Sequence, residues 1–377
     1  MKLKPKYDVV ILGGGPAGLA AAISIRAKVD ASVLVVEAQA PDQERVGENC
    51  PPDIIVLLKQ LGIAKAFNQA GHETCPGYAS LWGSDHVGFN DFIVNPMGPS
   101  WRLNRKLFDK MLVEQAEEAK VQFSWSTRFC ATEKPMESNH GRIVHLVTYK
   151  PNKIPHTIEA GFVIDATGFE ARFARALNIN KVIDDQLCAT LRFAKVLKGQ
   201  GSKRVQLEAF HEGWCYHSLL PENRVVSMIV TEKESLSALR ANGYQGFEEA
   251  LAATSFVSRS ASQLTLGNYN YRIFSIQSGL LPIVEGDDWI AIGDAAASYD
   301  PIAAQGIYKG LSHGLLAADK VAAWFMDNDR YSSRFSELVK QQFANYRKNR
   351  MYVYGLERRW AESNFWRKRE KFTSLAS

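Results

Sequence analysis

The feature that most constrains this chain is a glycine-rich turn near its start, Gly13-Gly14-Gly15-Pro16-Ala17-Gly18, set between an apolar run at residues 8–12 and an alanine-rich stretch at 16–28. The spacing fits GxGxxG, in which glycines permit a tight turn and let a pyrophosphate approach backbone N–H groups at a helix N-terminus. The flanks predict a strand, the turn, a helix carrying Leu19, Ile23 and Ile25 toward a sheet, and a second strand at 32–37. Glu37 closes that second strand about 20 residues after the turn, where an acid binds a ribose diol. A dinucleotide-binding βαβ unit is therefore expected.

Two later segments narrow the dinucleotide to FAD. Asp165-Ala166-Thr167-Gly168 closes one predicted strand, and Ile290-Ala291-Ile292-Gly293-Asp294-Ala295-Ala296 puts an acid at the end of another, followed by Pro301 and Gln305-Gly306. A nicotinamide site needs only the first fingerprint. A flavin site of this type also needs an acid for the ribityl chain. It further needs a helix N-terminus aimed at the pyrimidine edge of the isoalloxazine, where the reduced ring carries negative charge. The helix predicted over 306–325 supplies that terminus. No second GxGxxG marks a dedicated NAD(P)H domain, so the electron donor is either a transiently bound nicotinamide or another reductant.

The set GGGPAG, DATG and GDAAASYDPIAAQG resembles the p-hydroxybenzoate-hydroxylase-like superfamily of FAD monooxygenases, which also holds the flavin halogenases and geranylgeranyl reductases. Val46-Gly47-Glu48-Asn49 before Pro51-Pro52 resembles the GES/GEN element of its halogenase-like branch. Leu103-Asn104-Arg105-Lys106-Leu107-Phe108-Asp109 resembles that branch's R-x-x-F-D helix start, whose arginine, here Arg105, approaches the FAD. The resemblance runs from residue 5 to about 325. It implies an α/β fold: a glutathione-reductase-like (Rossmann-type) FAD domain with an inserted β-sheet substrate domain and a C-terminal helical segment. The expected boundaries are 1–75 with 100–181 and 273–330 for the FAD domain, 76–99 with 182–272 for the substrate domain, and 331–377 for the tail. The cofactor positions it implies are Gly13, Gly15, Pro16, Ala17, Gly18, Glu37, Arg45 and Glu48 in the first part of the chain. Farther along they are Arg105, Asp165, Gly168, Gly293, Asp294, Pro301, Gln305 and Gly306.

Flavin-dependent tryptophan halogenases carry a lysine about 35 residues beyond the GE element and a W-x-W-x-I-P segment. Here no lysine lies between Lys65 and Lys106, and the corresponding segment reads Gly213-Trp214-Cys215-Tyr216-His217-Ser218-Leu219-Leu220-Pro221. Hypohalous acid then finds no amine to capture it, and halogenation is not expected. The tail segments Tyr354-Gly355-Leu356-Glu357-Arg358-Arg359-Trp360 and Asn364-Phe365-Trp366-Arg367-Lys368-Arg369 resemble the maturases of quinoprotein amino-acid oxidases, the glycine oxidase and lysine ε-oxidase maturation proteins. That resemblance implies hydroxylation of a tryptophan side chain in a precursor oxidase, on the way to cysteine tryptophylquinone, with the precursor quinoprotein amino-acid oxidase and molecular oxygen as partners. A hydroxylase or halogenase of a free aromatic metabolite and a geranylgeranyl-reductase-like enzyme stay open as alternatives.

Flavin monooxygenation asks little acid–base chemistry of the protein, which must exclude water and hold an electron-rich ring near the flavin. Trp82, Phe89, Trp214 and Tyr216 are candidates for holding an indole, and each reads equally well as a packing aromatic. Of His72, His86, His211 and His217 none has metal-ligand spacing. Only His217, in the segment expected near the flavin, and Glu48 are candidates for catalysis. Cys50, Cys75, Cys130, Cys188 and Cys215 form no CxxC, so reduced core thiols are expected and neither a metal site nor a disulfide framework. No run reaches the ~18 apolar residues of a membrane span, and the first residues read as a strand rather than an export signal, so a cytoplasmic protein is expected. The net charge of +5 is uneven, with eleven Lys/Arg against four Glu from 331 to 377. Interleaved glutamates and the lack of nucleic-acid motifs argue against a nucleic-acid partner. The basic tail reads as a solvated helix face or a docking surface for a protein.

Overall fold

Parallel pairing begins at the β-branched runs flanking the glycine turn. Lys6–Leu12 pairs in parallel with Val33–Val36 on one side and with Ile154–Asp165 on the other, and the helix Pro16–Lys28 makes the crossover. Val9, Val10, Ile11 and Leu12 are all buried, as in a sheet covered on both faces. Gln122–Ser124 extends one edge, Trp289–Ala291 pairs with the end of Ile154–Asp165, and Arg142–Thr148 with Thr127–Glu133 adds an antiparallel pair, completing seven strands. The computed structural model describes residues 3–41, 45–134, 141–149, 152–262, 269–326 and 334–370.

The predicted helix over 306–325 is present as Gly306–Phe325 and lies on Pro16–Lys28 through small residues. A Cβ at Gly314 would stand 2.7 Å from the carbonyl oxygen of Ala17, so the two backbones touch and their N-termini reach the same place. Asn104 caps the helix Arg105–Glu118, its side-chain oxygen accepting from the Leu107 N–H at 3.3 Å.

A second sheet of eight strands runs in the order Ala297–Ser298, Asn270–Leu280, Val182–Lys195, Arg224–Thr231, Gly213–Leu220, Val205–Phe210, Gly77–Leu81, Gly88–Asp91. Asn270–Leu280 runs as one strand of this second sheet straight across residue 272. One face of this sheet packs Cys215 and Ile229 against Leu239, Phe247 and Val257. The helix Leu236–Ala252 on that face is interrupted where Asn242, Gly243 and Tyr244 take positive φ.

The other face meets the tail. Leu187, Leu191, Trp214, Val226 and Val230 share one apolar cluster with Tyr354, Phe365 and Trp366, which lie on the helices Phe335–Leu356 and Asn364–Glu370. A wholly solvated tail is therefore corrected by the packing: Tyr346, Tyr354, Phe365 and Trp366 are buried and Arg350 and Arg369 are paired inward, while Tyr352, Arg358 and Arg367 stay exposed. Arg369 reaches Asp185 at 2.9 Å and Glu232 at 3.2 Å, and Arg359 reaches Glu357 at 2.6 Å. Residues 331–333 and 371–377 of the expected tail lie outside the described residues. Four of the five cysteines are buried, whereas Cys130 is on the surface.

Trp366 is 1% exposed, and its indole N–H donates to the Phe210 carbonyl at 2.8 Å. Trp366→Ala should cost about 3–5 kcal/mol of stability, read as a lowered urea midpoint. A loss below about 1 kcal/mol, the scale of a surface substitution, would contradict the placement of the tail in the core.

Candidate functional site

The glycine turn is held by contacts that a side chain would block. Gly13 has φ +113°, and a Cβ there would stand 2.2 Å from the Ala166 oxygen, so the turn presses on the end of the strand that closes in Asp165. From behind, Glu37 accepts from the Gly14 N–H at 2.7 Å and from the Gln39 N–H at 2.8 Å. Arg45 bridges the two, donating to the Gly14 carbonyl and to Glu37, both at 2.9 Å. Glu37 and Arg45 thus brace the turn, and Gly15 faces open space, with the Arg45 guanidinium at 3.5 Å as the nearest group to an added Cβ.

In front of the turn lies a cavity of about 420 Å³. Gly15, Pro16 and Ala17 form its floor at the start of the first helix, with Gly168 and Gly293 beside them. Asp294, Pro301, Gln305 and Gly306 lead into the second helix, and Val46, Gly47, Glu48, Asn49 and Arg105 form one side. The opposite wall comes from the second sheet: Ala189, Leu191, Met228, Phe274 and Ile276, with Tyr216 as its one hydroxyl.

These residues fit FAD. Two helix N-termini, each with unsatisfied N–H groups and a positive dipole end, open on one cavity. A Cβ at Gly168 or at Gly306 would meet nothing within 4 Å, which leaves room for a ligand against the backbone. The glycine turn would take the pyrophosphate, Asp294 the ribityl hydroxyls, and the terminus at Gly306 the pyrimidine edge, and the flavin would supply electron transfer and oxygen activation.

Five expected cofactor positions stand outside the lining. Gly13, Gly18, Glu37 and Arg45 shape the turn from behind. Asp165 is fully buried and accepts from the Thr167 hydroxyl at 2.6 Å and from the N–H groups of Thr167, Phe173 and Ala174 at 3.0 to 3.1 Å. It ties the Asp165–Gly168 turn to the short helix Arg172–Ala176 and does not face the ligand space; burial pushes its pKa up against those four donors.

His217 is a correction of strand parity. Along Gly213–Leu220, Trp214 and Tyr216 point to the cavity and tail side, so Cys215 and His217 point to the helices on the other face. His217 bonds Ser227 at 2.9 Å, and burial, then the Arg192 charge, lowers its pKa to about 3. It is no acid–base group for a reaction in the cavity. Glu48, the other catalytic candidate, is buried on the cavity wall.

Arg105 faces the cavity while holding the loop beside it, donating to the carbonyls of Val46 and Gly47 and to both Asp109 oxygens at 3.1 Å. Of the four candidate aromatics only Tyr216 lines the cavity, its hydroxyl accepting from Asn49. Trp82 and Trp214 pack against the tail, donating to the Val353 carbonyl at 2.7 Å and the Tyr354 hydroxyl at 2.9 Å, and Phe89 is 65% exposed.

The sequence reading missed Lys309, Tyr299 and Asp300. Lys309 is buried, bonds Asp294 at 2.7 Å, and sits 3.8 Å from the centre of the Tyr299 ring. Lys181 donates to the Asp294 carbonyl at 2.6 Å, and burial lowers its pKa to about 8. The available signal for Lys309 was a lone charge inside the apolar run of residues 306–311 just after an acid-bearing strand end.

The FAD binding domain family, FAD_binding_3, matches residues 6–330. The chain belongs to it. Over 384 residues it is 24% identical to LodB of Marinomonas mediterranea (strain ATCC 700492 / JCM 21426 / NBRC 103028 / MMB-1), named as an FAD-dependent oxidoreductase, with 98% of each chain covered. Among solved structures, the flavin-dependent halogenase CmlS superposes with a TM-score of 0.84 at 21% identity, covering 98% of this chain and 70% of that one. QhpG, a peptidyl tryptophan dihydroxylase essential for tryptophylquinone cofactor biogenesis, superposes with a TM-score of 0.75 at 20% identity, covering 97% of this chain and 79% of that one. The protein is a flavin-dependent oxidoreductase, and its cofactor is FAD. None of its helices, among the described residues, is long and apolar enough to cross a membrane, and no metal-binding cluster occurs among them.

Gly15→Trp fills the cavity floor and Asp294→Ala removes the acid at the strand end, so both should yield folded protein with little bound flavin, read by visible absorbance per mole of protein. Full flavin in both variants would contradict the assignment of the cavity. For His217, the unfolded side chain titrates near 6.5 and the folded one near 3, so protons bind the unfolded state first as pH falls. That removes about 1.4 kcal/mol of stability per pH unit below 6.5. His217→Asn should flatten the fall of the urea midpoint from pH 6.5 to about 4; an unchanged slope would place this histidine in water.

Proposed function

We propose that this protein is an FAD-dependent monooxygenase that hydroxylates a tryptophan side chain of a precursor amino-acid oxidase during biogenesis of its cysteine tryptophylquinone. The observation that carries the proposal is the form of the cavity: a flavin cradle on one side faces an apolar wall, Ala189, Leu191, Met228, Phe274 and Ile276, on the other. Such a wall excludes water and suits a flat, electron-rich ring such as indole. The full-length likeness to LodB and the fold shared with QhpG support it. Molecular oxygen is the co-substrate, NAD(P)H or another reductant supplies the electrons, and the cytoplasm is the site of action in this reading.

Halogenation is the competing reading, favoured by the high TM-score with CmlS. No lysine is among the residues lining the cavity, and Lys309, the buried lysine beside Asp294, is already paired with that acid. An amine able to carry an electrophilic halogen to a substrate is therefore not presented to the apolar wall.

Co-expression decides between them. A candidate quinoprotein oxidase made with this protein should carry added oxygen on a tryptophan-containing peptide and develop quinone absorbance, and without it neither. Incubation of the reduced enzyme with tryptophan and bromide should yield no bromotryptophan. An oxidase that matures equally well alone, or bromination with turnover, would overturn the proposal.

A further inference from the structure

Between Asp294 and the second helix the chain makes one short turn, Tyr299-Asp300-Pro301, whose residues line the cavity. Asp300 is 1% exposed. One of its carboxylate oxygens accepts from the Ile302 N–H at 3.0 Å, which is all that capping the short helix Pro301–Ala303 requires. The other accepts from the Tyr354 hydroxyl at 2.8 Å and from Arg350 Nε at 3.2 Å. The Asp300 N–H donates to the Tyr346 hydroxyl oxygen at 2.8 Å, and that hydroxyl also bonds Ser278 at 2.7 Å. Tyr299 stacks on Tyr346 with ring centres 4.1 Å apart and planes 2° apart.

Every tail residue in this set lies on one stripe of the helix Phe335–Leu356, at 346, 350 and 354. Arg350 extends the chain of contacts to Asp185 in the second sheet, which Arg369 also holds at 2.9 Å. Burying a carboxylate and a guanidinium costs several kcal/mol unless each is fully paired. A capping aspartate at the surface would end the turn without that cost, so the pairing fixes where the turn stands.

We propose that Asp300 is a positioning residue for the flavin, held by Tyr346, Arg350 and Tyr354 of the tail so that the turn and the helix N-terminus after it keep their place on the cavity wall. The proposal rests on FAD occupying this cavity and is independent of the substrate. A helix N-terminus favours negative charge, and its influence falls off within the first turn, so a displaced turn weakens binding of the anionic reduced flavin more than of the oxidised one. The tail thereby sets the potential of a cofactor that it does not touch among the described residues lining the cavity.

Tyr346→Phe and Tyr354→Phe each delete one hydroxyl and keep the ring in the core. In the purified holoprotein each should weaken reduced relative to oxidised flavin about tenfold, which a two-electron couple reads as a midpoint potential lower by about 30 mV. Titration of the apoprotein with FAD should show a raised Kd for the same variants. Arg350→Lys should retain more of the wild-type potential than Arg350→Met, and Arg358→Gln, whose side chain bonds only the nearby Gly355 carbonyl at the surface, should leave it unchanged. Asp300→Asn is the direct variant, and if it does not fold the two phenylalanine variants decide. Wild-type potential and wild-type FAD affinity in both of them, whatever their thermal stability, would show that the tail only packs, and would overturn the proposal.

Discussion

The close approach of the glycine turn to the strand end at Ala166 governs the rest of the molecule. Any Cβ at position 13 would overlap the Ala166 oxygen, so only glycine lets Lys6–Leu12 and Ile154–Asp165 end side by side with a helix starting between them. The same economy of volume recurs where Gly314 meets Ala17 and Ala20. Small residues at both places bring two helix N-termini to one cavity, and that convergence of unsatisfied N–H groups is what makes the cavity a site for an anionic dinucleotide.

The second sheet supplies what the first cannot. One of its faces is covered by its own short helices and the other is shared between the cavity wall and the tail. Strand alternation makes that division: in Gly213–Leu220, Tyr216 serves the cavity, Trp214 the tail and His217 the far side. The buried ion pairs of Arg350 and Arg369 with Asp185, Asp300 and Glu232 then stitch the tail to the second sheet and to the turn that leads into Gly306–Phe325. Pairs of this kind add little net stability compared with apolar packing, but removing one partner is costly, so they fix geometry more than they strengthen the fold.

Local signals were legible in the sequence and relational ones were not. The βαβ unit, the two acid-bearing strand ends and the helix at 306–325 depend on contiguous residues, and each stands within a residue or two of its expected place. The side of the sheet on which His217 would fall depends on the register and on which face the helices cover, and neither is written in eight residues of alternating strand. Asp165 looked like a ligand-facing acid because its four donors come from the turn and helix that follow it, and their folding back is a tertiary event. The tail stayed open between a solvated face and a docking surface because a charge count says nothing of the partners that only the fold supplies. The stripe of Tyr346, Arg350 and Tyr354 at intervals of four was the one sequence sign that a charged helix had an inward face.

A purified reaction tests the central claim most directly. Reduced holoprotein would be mixed with a purified precursor oxidase under isotopically heavy oxygen gas, and the tryptophan-containing peptide of the oxidase examined by mass spectrometry. Incorporation of heavy oxygen on the indole, dependent on this protein and on its flavin, is the expected result. Reoxidation of the flavin with release of hydrogen peroxide and an unlabelled precursor would contradict a hydroxylase that takes a protein-bound tryptophan.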